Sequence, residues 1–359
     1  MNPSRLWTVA RLELTQRVRT VSWYVLLGVF ALLLLIVTGL AFLTFSGQDA
    51  AGPGVYSTVV YITLLLVLLV SPTLSGNSIN GDRDAATLAP VQVTQATTLD
   101  ILLGKFLASW LTGLVFALVA LPFLVVATLG GGVRPATVAV SLLVLVVETG
   151  VVAALGVALS GILARPLFSV AATYLVVAAL AVGSPIAFGL AGAAFTSETT
   201  NSYRSAEWDP ESGEILCTDG TNDCYDDPER MVCGPWQTDT WQAPRFDRVW
   251  WMLAANPFVI LADATPVEYV RGQPVDLFGY LKVGVRMTQQ PPDLDSTFDE
   301  CAPYVEEEQR TAEEVVAQTA PSWFVGLALQ LGLAALLLWW AAVRTHTPAR
   351  RLPPGTRIA

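Results

Sequence analysis

Six long apolar stretches punctuate the chain: Val21–Phe45, Val55–Leu74, Phe106–Leu129, Ala136–Leu163, Pro166–Phe195 and Trp323–Val343. Each approaches or exceeds the roughly 20 apolar residues that a helix needs to cross a hydrocarbon core. Six such stretches are too many to be core helices of one soluble chain. The pattern therefore predicts an all-α polytopic membrane protein: six transmembrane helices with an extracytoplasmic domain inserted between the fifth and sixth. The first stretch is too long for a cleaved leader, and no small-residue cleavage site with a polar mature region follows it.

Within the fifth stretch, Ser184-Pro185 interrupts the pattern. Proline removes a backbone donor, so the span is expected to end near Gly183, with Ile186–Phe195 as a separate short helix. A further apolar piece, Val249–Leu261, contains Asn256-Pro257. It is too short to cross a bilayer and reads as re-entrant, interfacial or part of the outer domain's core. Residues 1–20 read as an interfacial helix. Trp7, Ala10, Leu14, Val18 and Val21 form its apolar stripe, with Leu6, Val9 and Leu12 falling off it. The alternative is a basic leader that only fixes topology. In the segment between the second and third spans (75–105), a short helix over Asp82-Arg83-Asp84 is followed by a turn. Thr97 or Thr98 then caps the lead into span three.

Composition sharpens this layout. Of 359 residues, 53% are apolar and only 14% charged, which excludes a disordered chain, a nucleic-acid binder and an ordinary cytosolic enzyme. The net charge of −10 is unevenly divided. Residues 196–320 hold eight Lys/Arg against twenty-four Asp/Glu, and the remainder holds twelve against six. Lys and Arg gather before span one, after span six, and between spans two and three (Arg83, Lys105). By the positive-inside rule both termini (1–20 and 344–359) are cytoplasmic and 196–320 lies outside, at the plasma membrane. All four cysteines, Cys217, Cys224, Cys233 and Cys301, fall in that acidic insert. Such clustering favours two disulfides over free thiols or a zinc site, and three pairings are possible. The turn residues of the insert (Asn, Asp, Gly, Pro, Ser) leave its secondary structure unread, apart from a helix expected from Glu306 through Val316. The outer domain is expected over 197–248 and again over 266–319.

The catalytic inventory is thin. No phosphate-cradling Gly-x-x-x-x-Gly-Lys-Ser/Thr occurs, and the one histidine, His346, sits in the tail. No metal set, catalytic set or resident cofactor is expected. Glu148 is the only ionisable residue inside the spans. A mid-bilayer carboxylate is costly, so it reads either as a transport-pathway or gating residue, or as a hydrogen-bonded packing carboxylate.

Taken in order, the segments Asp82-Arg83-Asp84-Ala85-Ala86-Thr87-Leu88, Thr94-Gln95-Ala96-Thr97-Thr98 and Leu103-Gly104-Lys105 resemble the loop signature of the membrane subunits of ABC-2-type (type V) ABC exporters. Ala86, Gln95 and Thr98 depart from that signature. Asn256-Pro257-Phe258 and Ala262-Asp263-Ala264 resemble the family's Asn-Pro segment before the last span. The resemblance implies a permease with a coupling helix at Asp82, Arg83, Asp84, Ala86, Thr87 and Leu88. It also implies an outer gate at Pro185, Phe188, Asn256, Pro257 and Phe258. ATP and Mg would be bound by a separate ATP-binding subunit, and a second permease protomer would complete the unit within the lipid bilayer. The substrate would be a lipid, peptide or amphipathic small molecule. Two alternatives remain at this stage: a receptor or assembly factor whose acidic domain binds a partner, and an intramembrane enzyme built on Glu148.

Overall fold

The computed structural model describes residues 3–47, 51–84, 97–210, 213–221, 224, 227–303 and 310–345. Among these described residues, six helices are long and apolar enough to cross a membrane. They are α2 (Val21–Phe45), α3 (Gly52–Ser75, continuing through α4, Asn80–Asp84), α5 (Thr98–Leu129), α6 (Pro135–Ile162), α7 (Pro166–Ala194) and α11 (Trp323–Thr345). The chain is thus a multi-pass, predominantly helical membrane protein. A short helix, α1 (Pro3–Val18), precedes the bundle.

α3 and α6 form the centre, each with more than half of its apolar window buried, and α2, α5, α7 and α11 surround them. Small residues allow the close approaches. A Cβ placed on Gly156 of α6 would lie 1.9 Å from Ser75 Oγ of α3. Phe116 of α5 fills the gap toward α2, with its ring 5.2 Å from Trp23 and 5.1 Å from Phe30. Thr97 caps α5 through a reciprocal pair: the Asp100 amide donates to Thr97 Oγ1, and the Thr97 amide to Asp100 Oδ2.

Two sequence expectations change. α7 runs unbroken through Ser184-Pro185, because a π turn over Ala179–Gly183 takes up the misfit that proline would otherwise cause. On α1, the docked face is Val9, Ala10, Glu13 and Arg17, while Trp7, Val18 and Val21 of the predicted stripe are exposed. The seat explains this: Gly104 of α5 leaves room for Val9, and Lys105 beside it needs the Glu13 carboxylate.

The acidic insert departs from all-helical structure. β1 (Thr196–Arg204) pairs antiparallel with β2 (Gln237–Pro244) and parallel with β5 (Asp295–Asp299), giving the order β2-β1-β5. Of the three possible pairings, the disulfides are Cys217–Cys224 and Cys233–Cys301. They sit in a small cluster with Ala206, Ile215 and Met231. Arg204 braces the parallel pair with a bidentate bridge to Asp299, at 2.9 and 2.5 Å, and lies over the Trp236 ring.

Between β2 and β5 the chain returns to the bundle. A 3-10 turn (Trp250–Leu253) leads into α8 (Pro257–Ala264), whose Ile260 and Leu261 are fully buried in the main core. The tiny hairpin β3–β4 (Tyr269–Val270, Gln273–Pro274) precedes α9 (Leu277–Met287). Phe278 of α9 is sealed between Tyr56 and Tyr61 of α3, and the Leu277 amide donates to Ser57 Oγ. Residues 266–287, grouped with the outer domain by composition, therefore pack as part of the helical body. α10 (Ala312–Gln318) begins at a Thr311/Glu314 capping box. The earlier part of the helix expected from Glu306, residues 306–309, lies outside the described residues.

The Cys233–Cys301 bridge closes a separation of 68 residues, for which chain entropy gives about 4 kcal/mol. Replacing both cysteines by serine should speed proteolysis within 196–303 while leaving helical content, read by circular dichroism, unchanged. Unaltered cleavage kinetics would refute this role.

Candidate functional site

At the end of the bundle that carries α1, a buried lysine draws three elements together. Lys105, in the opening turns of α5, is 3% exposed, and a buried ammonium requires paired charge. Its Nζ lies 3.0 Å from Glu13 Oε2 of α1 and 2.8 Å from Asp82 Oδ2 of α4. Arg17 of α1 reaches beneath it, donating to the Leu74 carbonyl (2.8 Å), Ser109 Oγ (3.1 Å) and Thr112 Oγ1 (3.2 Å). Burial pulls the Arg17 guanidinium below its usual range, and Glu13 opposes that shift.

Arg83 turns in the other direction. It donates to the Gly161 and Leu163 carbonyls at the C-terminus of α6, at 3.1 and 3.4 Å, and to Asn80 Oδ1. A cation there satisfies carbonyls that the helix itself leaves unpaired. Of the residues assigned to coupling, Asp82 and Arg83 thus hold the frame, and Asp84 is exposed. Ala86, Thr87 and Leu88 lie outside the described residues.

At the opposite end, four of the five gate candidates line one apolar cavity of about 460 Å³: Pro185, Phe188, Asn256 and Phe258, with no charged side chain in its wall. Pro257 is buried as the first residue of α8. Asn256 connects the parts. Its Oδ1 accepts from the Phe258 amide and caps α8, while its Nδ2 donates to the Ala181 carbonyl (2.9 Å) and Ser184 Oγ (3.0 Å) on α7. The preceding turn is held by the last long helix, where Gln330 Nε2 donates to the Ala255 carbonyl at 2.9 Å. Glu148 of α6, also buried, faces Gln330. Glu148 is thus packed inside the bundle against a polar partner.

A second ionic cluster was not read from the sequence. Asp263, at the end of α8, accepts from Arg286 Nε (2.7 Å), from the Ser322 amide (2.7 Å) and hydroxyl (3.1 Å), and from the Trp323 amide (3.0 Å). One buried carboxylate therefore neutralises a buried guanidinium and caps α11. Lys282 donates to the Thr265 carbonyl, and burial lowers its pKa against the pull of Asp263. Asp276 caps α9 through the Gly279 amide. Burial pushes its carboxyl up to about 6, opposed by that amide and by Lys282. The missed signals were polar residues inside apolar runs: Gln330 in the last span, and Asp263 just after Val-Ile-Leu-Ala. Among the described residues, no three His, Cys, Asp or Glu side chains gather into a metal-binding group.

Two measurements check these electrostatics. Asp263→Ala strands Arg286 and uncaps α11, so it should cost about 3–5 kcal/mol in detergent-solubilised protein. Adding Arg286→Met should recover part of that loss; a double variant no better than the single one would contradict the pairing. For Asp276, the folded state holds a proton to about pH 6, whereas the unfolded carboxyl releases it near about 3.9. The folded state therefore binds the extra proton between those values. Stability should rise as pH falls from about 6 to about 4 and decline as pH rises through 6. Asp276→Asn keeps a capping side chain and should flatten that slope in thermal melts.

No protein-family model matches the chain, and no curated protein matches it.

Proposed function

We propose that the chain is the transmembrane permease subunit of an ATP-driven ABC transporter, working as one of two permease protomers in the plasma membrane. It exports a lipid, peptide or amphipathic small molecule, and ATP and Mg are bound by a separate subunit. The termini and the 75–105 loop are cytoplasmic, and the acidic insert lies outside. The Lys/Arg bias and the location of both disulfides support that orientation.

The observation that carries the reading is the joint at Lys105. Glu13, Asp82 and Lys105 bind α1, α4 and α5 to one another, while Arg83 ties α4 to α6. A partner that moved α4 would move three other helices with it. That is what an energy-coupling element must do in a chain with no phosphate loop of its own. A second reading, a receptor or assembly factor, is favoured by the exposed aromatics Trp208, Trp236, Trp241 and Phe298 on the insert.

Asp84 is exposed at the tip of α4, so its charge can change without breaking the frame. Asp84→Lys should reduce recovery of an ATP-binding subunit co-purified from the native host, with the melting profile preserved. Purification of intact, native-abundance protein with no ATPase attached, or a pull-down insensitive to Asp84→Lys, would favour the second reading.

A further inference from the structure

Arginines from three elements meet at the C-terminal end of α6. Arg83 of α4 donates to the Gly161 and Leu163 carbonyls at 3.1 and 3.4 Å. The last turn of α11 sits on the same glycine: a Cβ on Gly161 would lie 2.9 Å from Ala341 Cβ and 3.3 Å from Thr345 Oγ1. Arg344, just before Thr345, is exposed, and its charge opposes that of Arg83. Arg165, two residues beyond Leu163, is also exposed and opens α7 without giving it a side-chain cap. The positive end of that helix dipole adds to the field of the arginines.

Like charges held together favour an anion between them, and the chain does not supply one. Among the described residues, no carboxylate forms an ion pair with any of the three. Of the carboxylates in the segments read as cytoplasmic, Glu13 and Asp82 are bound to Lys105 and Asp100 is buried in its capping box. Asp84 remains, exposed at the tip of α4. Residues 85–96 and 346–359, outside the described residues, contain no Asp or Glu and add Arg350, Arg351 and Arg357.

We propose that Arg83, Arg165 and Arg344 form a site for the phosphate headgroup of an anionic phospholipid in the adjoining leaflet. The flanks of the site favour a lipid over a free anion or an acidic protein surface. On α7, Leu167 and Phe168 are exposed, and the Arg165 guanidinium lies 6.0 Å over the Phe168 ring. On α11, exposed Trp340 lies one turn before Arg344, at the level where tryptophan meets headgroups. Cations beside apolar surface fit a charged head and its acyl chains together. Arg83 makes no bond through Nε among the described residues, so a donor remains for a phosphate oxygen. The site rests on the reading that this end of the bundle lies at the cytoplasmic leaflet, and not on the transport role.

A lipid titration of the full chain in detergent, with bound lipid counted by native mass spectrometry, tests this. Dioleoylphosphatidylglycerol should bind on the order of tenfold tighter than dioleoylphosphatidylcholine, whose choline cancels the phosphate charge. Arg344→Gln and Arg165→Gln, both at exposed positions, should each weaken phosphatidylglycerol binding on the order of fivefold and leave phosphatidylcholine binding unchanged. Arg11→Gln, at an exposed position of α1 on the same side of the membrane, should change neither. Equal affinity for the two lipids, wild-type binding in Arg344→Gln and Arg165→Gln, or an equal loss in Arg11→Gln would overturn the proposal. Displacement of phosphatidylglycerol by millimolar inorganic phosphate, beyond that by chloride at matched ionic strength, would mark a bare-anion site and overturn it as well. No ATP-binding subunit enters the measurement, so a negative result here leaves the transport reading standing.

Discussion

Inside hydrocarbon there is no water to satisfy a backbone N–H or C=O, so the protein must provide every partner itself. Most of this bundle answers that demand locally. Hydroxyls fold back onto their own helices: Thr63 onto the Val59 carbonyl, Ser75 onto Ser71, Thr149 onto Leu145, Thr173 onto Ser169, each at 2.7 Å. Such pairing lets polar residues sit on packed faces without crossing to a neighbour. The exceptions are therefore informative. Where α7 cannot satisfy itself, a side chain from another element intervenes. Where helices end, Arg83 and Asp263 take over the unpaired groups.

Charge obeys the same rule. Buried ions are gathered at the two ends of the bundle, Lys105 with its carboxylates at one and Arg286 with Asp263 at the other. Between them lie Glu148 and Gln330, face to face. One oxygen of each, Glu148 Oε1 and Gln330 Oε1, has no hydrogen-bond partner among the described residues. This pair stands at the junction of α6, α11 and the turn before α8, so a change in how it pairs would be felt by all three.

Much of the architecture was legible because hydrocarbon imposes a long, uniform signal. All six long helices fall on the apolar stretches, and Thr97 caps α5 as its position before Asp100 suggested. The gate candidates converge because Asn256-Pro257 and Ser184-Pro185 are local breaks in apolar runs, and breaks need partners. The rest was illegible for physical reasons. β2 reads Gln-Thr-Asp-Thr-Trp-Gln-Ala-Pro, a nearly fully exposed strand with no alternation to betray it. α1 docks by a mixed face, Val9 and Ala10 beside Glu13 and Arg17, because Lys105 draws the Glu13 carboxylate and Gly104 makes room for Val9. α9 lies within an acidic region, so composition hid a helix whose Phe278 is fully buried.

The parallel pairing of β5 with β1 has a consequence for the order in which the molecule is made. Between the two strands the chain leaves the sheet, lays α8 and α9 onto the bundle, and only then returns. The second disulfide spans that whole excursion. The cap therefore cannot be completed during synthesis until the polypeptide as far as Cys301 has emerged. Because Cys233 and Cys301 flank that excursion, their bridge closes the cap into one covalent loop that contains α8 and α9.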